Sequence, residues 1–428
     1  MAAFKKGPDY IDAGWLAAAT GSACYNLDPF LIGMDKVPQS FIERSRKADM
    51  AVIEGNRGLF DGMDVEGTIS TSRVARALKS PVVLIVDCTK ATRTVAAMVL
   101  GAKKFERGLD LAGVVLNNFR GARHEAVVRE SIEHYTGVPV LGAIPRLRGS
   151  ELPERHMGLV TWQEHPDFSE AVGVARGIIE SHVDVEAIAR VARTAGLLES
   201  KKFARARGAK SGRGLAIGVL RDSAFQFYYE ENIEALRETG AEIVLVSAIR
   251  NKELPKLDAL YIGGGFPETH AIALAKNASF RNSVLKAARA GLPIYAECGG
   301  LMFLGKALIL DGRRYPMTGV LPLTFTMGDK PKAHGYSVVE VVSDNPFYAR
   351  GTELRGHEFH YSIPQSADEL NRSDDITMAF RMHRGGGIYA GMDGICRWNV
   401  LATYTHTHVL GAPQWADGMI RAARNLGR

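Results

Sequence analysis

Cysteine is scarce: the 428-residue sequence holds four, Cys24, Cys88, Cys298 and Cys396, all far apart and none in a C-x-x-C pair. That argues against a disulfide framework or a zinc ribbon and makes a reducing, cytoplasmic setting the expectation. Long apolar runs are missing too. Runs such as Val82 to Val86 are strand-sized, far short of the ~20 residues that cross a bilayer, so no membrane partner is expected. The opening stretch MAAFKKGPDY offers no apolar core for a secretory signal. A strong charge bias is also absent. The formal net charge is +6, its basic residues are scattered, and no aromatic-rich binding motif accompanies them. No nucleic-acid partner is expected, and the mild surplus suits solubility or small anionic substrates. No internal repeat is found.

What is abundant is glycine, at 45 residues, set mostly between short apolar runs and helical patterns. This is the habit of α/β proteins with tight strand-to-helix turns. MAAF, MAVIEG (50–55), PVVLIVD (81–87), LAGVVLN (111–117) and VPVLGAIP (138–145) read as buried parallel strands, with helical periods such as TSRVARALK and TVAAMVLGAKKF between them. A basic stretch, SKKFARARGAKSGRG (200–214), interrupts the pattern with the composition of an exposed linker. A second alternation follows through LAIGVL (215–220), EIVLVSA (242–248), DALYIGGG (258–265) and PIYAEC (293–298), closing with strand-like segments near 333–341 and 398–405. The expectation is an α/β protein of two doubly wound, parallel-sheet domains, 1–196 and 214–428, joined by a linker at 197–213. Ligands in such sheets bind beyond the carboxyl ends of the strands.

In PIYAECGGLMFLG, Cys298 follows a strand directly and precedes a helical apolar pattern. A side chain on such a corner is turned outward, and the helix N-terminus behind it favours a thiolate. Gly299 and Gly300 permit the close backbone approach of an oxyanion hole. A lone cysteine within a strand would more often be a core residue, but the order strand, Cys, Gly, Gly, helix favours a nucleophile. It needs a base, and histidines are the candidates. His406 and His408, in ATYTHTHVLG, share one face at a strand end. Two histidines so spaced could also bind zinc, yet no third ligand stands at a convincing spacing. His357 and His360, in RGHEFHYS, do not form an H-E-x-x-H motif.

In the first half, KKGPDYIDAGW (5–15) and VIEGNRGLFDG (52–62) put carboxylates just past strands. Oxygen ligands there can hold Mg²⁺ for an ATP-dependent reaction. Asp9 or Asp12 alone reads better as a turn or helix cap. Glu54, ending an apolar strand at a glycine turn, is an uncommon packing choice and points to function, with Mg²⁺ as its candidate ligand.

FYYEENIEALRETGAE, LYIGGGFPETHA, PIYAECGGLMFLG, GHEFHYS and YTHTH together resemble the class I-type glutamine amidotransferase domain of cobyrinate and cobyric acid synthases, over nearly all of 213–410. The resemblance implies that Cys298 attacks the glutamine side-chain amide and releases ammonia through a thioester. It makes His406 the base and puts His408 where related amidotransferases carry a supporting acid. It also assigns the oxyanion to backbone N–H groups of the Gly263-Gly264-Gly265 turn and of Gly299.

FKKGPDYID, NLDPF, VIEGNRGLFDG, GVVLNNFRGARHE and LPERHMGLV resemble the ATP-binding half of the cobyrinate a,c-diamide synthase family, whose fold is like that of dethiobiotin synthetase. The resemblance implies that Asp9, Asp12, Glu54 and Asp61 bind Mg-ATP and the macrocycle acid, that Lys5 reaches a phosphate, and that Asn117 and Arg123 lie near the nucleotide. Its partners would be glutamine, ATP and a tetrapyrrole polycarboxylate, and a homodimer stays open. Asn56-Arg57 stands where the family often has two apolar residues, which suggests a sub-branch with a different tetrapyrrole. The family also begins with a strand and a Gly-rich loop ending in Gly-Lys-Thr. No G-x-x-x-x-G-K-[ST] motif occurs in this sequence, so the expectation is an ATP domain lacking its phosphate loop, with an open hydrophobic slot in the sheet, from a start placed late or a natural fragment. Two rivals remain: a nickel-sirohydrochlorin a,c-diamide synthase with the same chemistry, and a non-catalytic corrinoid-binding relative.

Overall fold

The computed structural model describes residues 1–147, 154–155, 158–165, 167–199, 211–365 and 374–426. Most of the basic stretch at 200–214, and positions 152, 153, 156 and 157 of LPERHMGLV (152–160), lie outside them. The chain divides into two compact units, Met1–Pro29 with Met34–Phe203, and Phe30–Gly33 with Ala204–Arg428. No helix among the described residues is long and apolar enough to cross a membrane.

The first unit runs β1 (Ala2–Lys6), α1 (Ile11–Thr20), β2 (Cys24–Leu27), β3 (Ala51–Glu54), α2 (Thr71–Ala77), β4 (Val82–Asp87), α3 (Arg93–Phe105), β5 (Leu111–Phe119), α4 (Gly121–Thr136) and β6 (Val140–Pro145). Its main strands form two three-stranded parallel sheets, β2-β1-β3 and β4-β5-β6. β1, paired on both sides, is buried along its whole length. β3 and β4 each have one ladder neighbour, and the edges show it: Val52 is 46% exposed and Ile85 68%. A cavity of ≈ 520 Å³ opens beside β4, with Phe60, Ile85, Met98 and Phe105 among its lining residues. Two short sheets with open edges thus stand where the strand pattern alone suggests one continuous sheet.

The second unit runs β7 (Ala216–Leu220), α5 (Glu230–Glu238), β8 (Glu242–Val246), β9 (Ala259–Ile262), α6 (Ala278–Arg289), β10 (Ile294–Glu297), α7 (Gly299–Leu304), β11 (Ala333–Val341), β12 (Glu353–His360), β13 (Ile376–Arg384), β14 (Met392–Arg397), β15 (Val400–Thr403), β16 (His406–Thr407) and α8 (Gln414–Arg424). Ten strands make one sheet, in the order β8-β7-β9-β10-β15-β14-β13-β11-β12-β16. The first five are parallel and the remainder antiparallel, so this sheet is mixed.

Strand periodicity decides what each face packs against. Leu260, Ile262, Ile294 and Ala296 face a core shared with Val284 and Ala288 of α6. Ala259, Tyr261 and Tyr295 face the other, shared with Ile233 and Leu236 of α5 and Trp415 and Met419 of α8. Because both faces are covered, β9 and β10 are fully buried. Their carboxyl ends, at Ile262 and Glu297, deliver the chain to the glycine turn and to Cys298.

Candidate active site

β10 ends at Glu297, and the chain turns at once into α7. The turn forces Cys298 to φ 49°, a conformation that non-glycine residues rarely hold. Its backbone N–H donates to the Thr403 carbonyl at 2.7 Å, extending the β10–β15 ladder to the corner itself. The thiol points toward the Phe359 carbonyl, 4.0 Å away. Gly299 follows because nothing larger fits: a Cβ there would lie 3.0 Å from both the nitrogen and the oxygen of Gly265. A Cβ on Gly264 would in turn lie 2.5 Å from Cε1 of His406 and 3.2 Å from its Nε2. The Cys298 corner, the Gly264-Gly265 turn and the imidazole edge of His406 are therefore packed together. The carbonyl of Gly264 accepts from the N–H groups of Gln226 and Phe227, which fixes the turn.

The expected help from the helix N-terminus does not prevail. α7 is six residues long, and burial pushes the Cys298 thiol well up, with the carboxylates of Glu268, Glu297 and Glu358 adding to the shift. At rest the sulfur is a thiol, so a base must take its proton when substrate arrives.

His406 is 2% exposed. Its ring stacks on that of His357, with centroids 4.9 Å apart and planes at 16°. Burial first, then His406 and His408, holds His357 well below the usual histidine range, so it stays neutral. Nδ1 of His406 lies 3.4 Å from Oε2 of Glu297. Glu297 is clamped in turn: Tyr261 Oη donates to Oε2 at 2.9 Å, and Thr407 donates to Oε1 through its N–H at 3.1 Å and its hydroxyl at 3.3 Å. His408 belongs to a different group. Its Nε2 lies 3.5 Å from Oε1 of Glu231, its Nδ1 accepts the Leu410 N–H at 3.1 Å, and its ring packs on Tyr229.

A third carboxylate shapes the turn that carries His406. Asp393, fully buried, accepts from the Thr403 hydroxyl at 2.6 Å, the Tyr404 N–H at 3.0 Å, and the Thr405 N–H and hydroxyl at 3.1 and 2.9 Å. Burial raises its pKa against the pull of these donors. Sequence reasoning singled out neither Glu297 nor Asp393. The acidic residue directly before Cys298 was a usable signal for the first; nothing local marks the second.

In the first unit, the residues singled out at the ends of β1 and β3 converge in part. Lys5 Nζ contacts Asp12 Oδ2 at 2.8 Å and Glu54 Oε2 at 3.2 Å. Burial alone would lower the Lys5 ammonium, but Asp12, Glu54 and Asp9 outweigh it and leave it raised. Asp9 accepts the N–H groups of Ile11 and Asp12 at 2.9 and 3.0 Å, so it does cap the start of α1. Burial and the neighbouring Asp12 push its carboxyl up to about 6. Burial also raises Glu54, against Lys5. Asp61 instead holds its own loop, accepting the Gly58 N–H at 3.0 Å. Asn117 pairs with Asp87 at the end of the β4–β5 ladder and accepts the Asn118 N–H at 3.0 Å. Arg123 is exposed on the first turn of α4. Among the described residues, neither of these two joins the Lys5 ion pairs.

No group of three or more His, Cys, Asp or Glu side chains among the described residues is arranged to hold a metal ion. Magnesium commonly takes one or two carboxylates and completes its shell with waters and phosphates. The crowded acids, with two carboxyls raised, are a donor set of that kind.

The model of the CobB/CobQ-like glutamine amidotransferase domain matches residues 216–414, and an AAA domain model matches 23–154. A cobyrinate a,c-diamide synthase of Magnetococcus marinus is 41% identical, over 99% of this chain and 91% of that protein. Those of Archaeoglobus fulgidus and Listeria innocua are 40% and 38% identical, over 98% and 96% of this chain and 90% of each relative. The chain belongs to the cobyrinate a,c-diamide synthase family.

Proposed function

We propose that the chain forms amides on the a- and c-acetate carboxylates of cobyrinate, using ATP to activate each acid and glutamine to supply nitrogen. The observation that carries this reading is the strained Cys298 corner packed with His406, in a chain alike over nearly its whole length to cobyrinate a,c-diamide synthases. His406 Nε2 takes the Cys298 proton as sulfur attacks the glutamine amide carbon. The oxyanion is met by N–H groups of Gly265 and Gly299. The C–N bond then breaks, His406 returns the proton to the leaving nitrogen, and ammonia departs from a thioester. Water cleaves the thioester to glutamate and regenerates the thiol.

At the other site, a substrate carboxylate oxygen attacks the γ-phosphorus of ATP, giving an acyl phosphate and ADP. Ammonia adds to the acyl carbon, and phosphate leaves with the bonding pair, yielding the amide. Activation is needed because hydroxide is a poor leaving group near neutral pH. Glu54 and Asp12 would hold Mg²⁺, which supplies charge neutralisation to the nucleotide phosphates. Lys5, held between them, orients both acids.

The test incubates the purified chain with ATP, magnesium and glutamine against cobyrinate and nickel-sirohydrochlorin, reading products by mass spectrometry. Amidation of cobyrinate at two positions, dependent on both ATP and glutamine, supports the reading. Amidation of nickel-sirohydrochlorin alone would move the substrate assignment, and ATP-independent binding without turnover would favour a corrinoid-holding protein.

A further inference from the structure

We propose that Glu297 is the positioning acid of the Cys298–His406 pair, the role that the family resemblance offers to His408. The inference rests on the glutaminase reading above and deepens it. A base that receives a proton on Nε2 needs its Nδ1–H held by an acceptor, which fixes tautomer and ring orientation and balances the imidazolium that forms. Nδ1 of His406 faces Oε2 of Glu297 at 3.4 Å. That carboxylate is 1% exposed and is immobilised from two strands, by Tyr261 of β9 and Thr407 of β16.

His408 cannot serve in the same way. Both its ring nitrogens are turned elsewhere, Nε2 to Glu231 on α5 and Nδ1 to the Leu410 N–H. The ionisable groups around His406 are then Glu297 on β10, Cys298 at the corner, the neutral His357 stacked from β12, and the pair of His408, just past the end of β16, with Glu231 on α5. Of these, Glu297 is the carboxylate that meets the ring. Its place follows from the corner. Glu297 is the last residue of the strand and Cys298, at φ 49°, has already left it, so the corner can present the sulfur to substrate while its predecessor backs the base.

The experiment compares Glu297→Gln, His408→Asn and Cys298→Ser in the full chain. It follows glutaminase kcat and KM across pH, thermal stability, and amidation supported by ammonium chloride in place of glutamine. In Glu297→Gln, the Thr407 N–H keeps the amide oxygen at the Oε1 position, which turns the new NH₂ group toward His406. That group donates to Nδ1 and favours the tautomer that leaves Nε2 protonated and unable to act as base. Glu297→Gln is expected to lower kcat roughly 10³-fold, with KM and ammonia-supported amidation held within about threefold. The acid limb of kcat/KM should move to lower pH, because the imidazolium loses its counter-charge. His408→Asn should keep the wild-type limb. If Glu297→Gln unfolds early, the same pH comparison on Glu297→Asp decides: a carboxylate one carbon shorter must keep the limb near its wild-type position.

An unshifted limb with kcat within about threefold in Glu297→Gln overturns the assignment. So does a parallel loss of ammonia-supported amidation, which marks a structural role, or a limb shift in His408→Asn instead. Glutaminase activity surviving in Cys298→Ser would overturn the underlying reading, and is a separate result.

Discussion

At the Cys298 corner the acids are enclosed and saturated with donors, whereas at the ends of β1 and β3 they are crowded and half open. Glu297 and Asp393 are at most 1% exposed, and each accepts three or more hydrogen bonds from fixed neighbours. Glu54, with its side chain 44% exposed, pairs with the Lys5 ammonium that it shares with Asp12. The contrast follows from what surrounds each strand end. β10 lies inside a ten-stranded sheet covered on both faces, and β3 is the edge of three strands. A site that works on a small neutral amide can be built in advance and kept dry. A site for metal-bound phosphates would keep acids whose charge the metal balances on arrival.

The largest test of this contrast is Cys298→Ser. It should lower glutamine-dependent amidation by at least ~10³-fold while ammonia-dependent amidation persists, read by product mass with each nitrogen source. A loss of both would mean that the two sites are not chemically separable. Glu54→Gln should do the converse, lowering ATP-dependent amidation from either nitrogen source ~10²-fold and sparing glutaminase activity measured as glutamate release. If Glu54→Gln instead destroys glutaminase, the acids of the first unit have been misread.

Asp393→Ala should act on folding. Four buried donors lose their acceptor, so a loss of about 3 kcal/mol in denaturant unfolding is expected; a loss below about 1 kcal/mol would mean that the turn before His406 holds itself. The smallest effect concerns Asp9. Its pKa is raised from 3.8 to about 6, so the folded state holds a proton that the unfolded chain has released. That contribution is fully present below about pH 4 and is lost as pH rises through about 6. Asp9→Asn should therefore flatten the decline of Tm across this window relative to the parent. An unchanged slope would mean that Asp9 is not held away from water.

Legibility in the sequence followed contiguity. The strand, Cys298, Gly299, Gly300 and helix are consecutive, so the corner could be read directly, and resemblance supplied His406. The thiolate expectation failed because local pattern carries the helix dipole but not the degree of burial, and burial is the larger influence at Cys298. Glu297 adjoins the nucleophile in sequence, yet its partnership with His406 depends on β10 pairing with β15 and on the return of the chain through β16. Asp393 is farther from recognition still, since its four donors lie on the next strand and turn. In the first unit, five parallel-strand segments were legible, but their division into two sheets depends on edges that hydrophobic periodicity does not encode.

The four residues Phe30–Gly33 belong to the second unit although the flanking chain belongs to the first. Phe30 packs on Tyr336 at 4.3 Å with Arg355 and Arg384 over its ring, and Leu31 and Ile32 are buried. For anyone dividing the gene, this means that a cut at the basic stretch does not yield two self-sufficient pieces. A carboxy-terminal fragment would lack Phe30, Leu31 and Ile32, so Tyr336, Arg355 and Arg384 would lose the ring they pack on, and a peptide bearing Phe-Leu-Ile is expected to bind it.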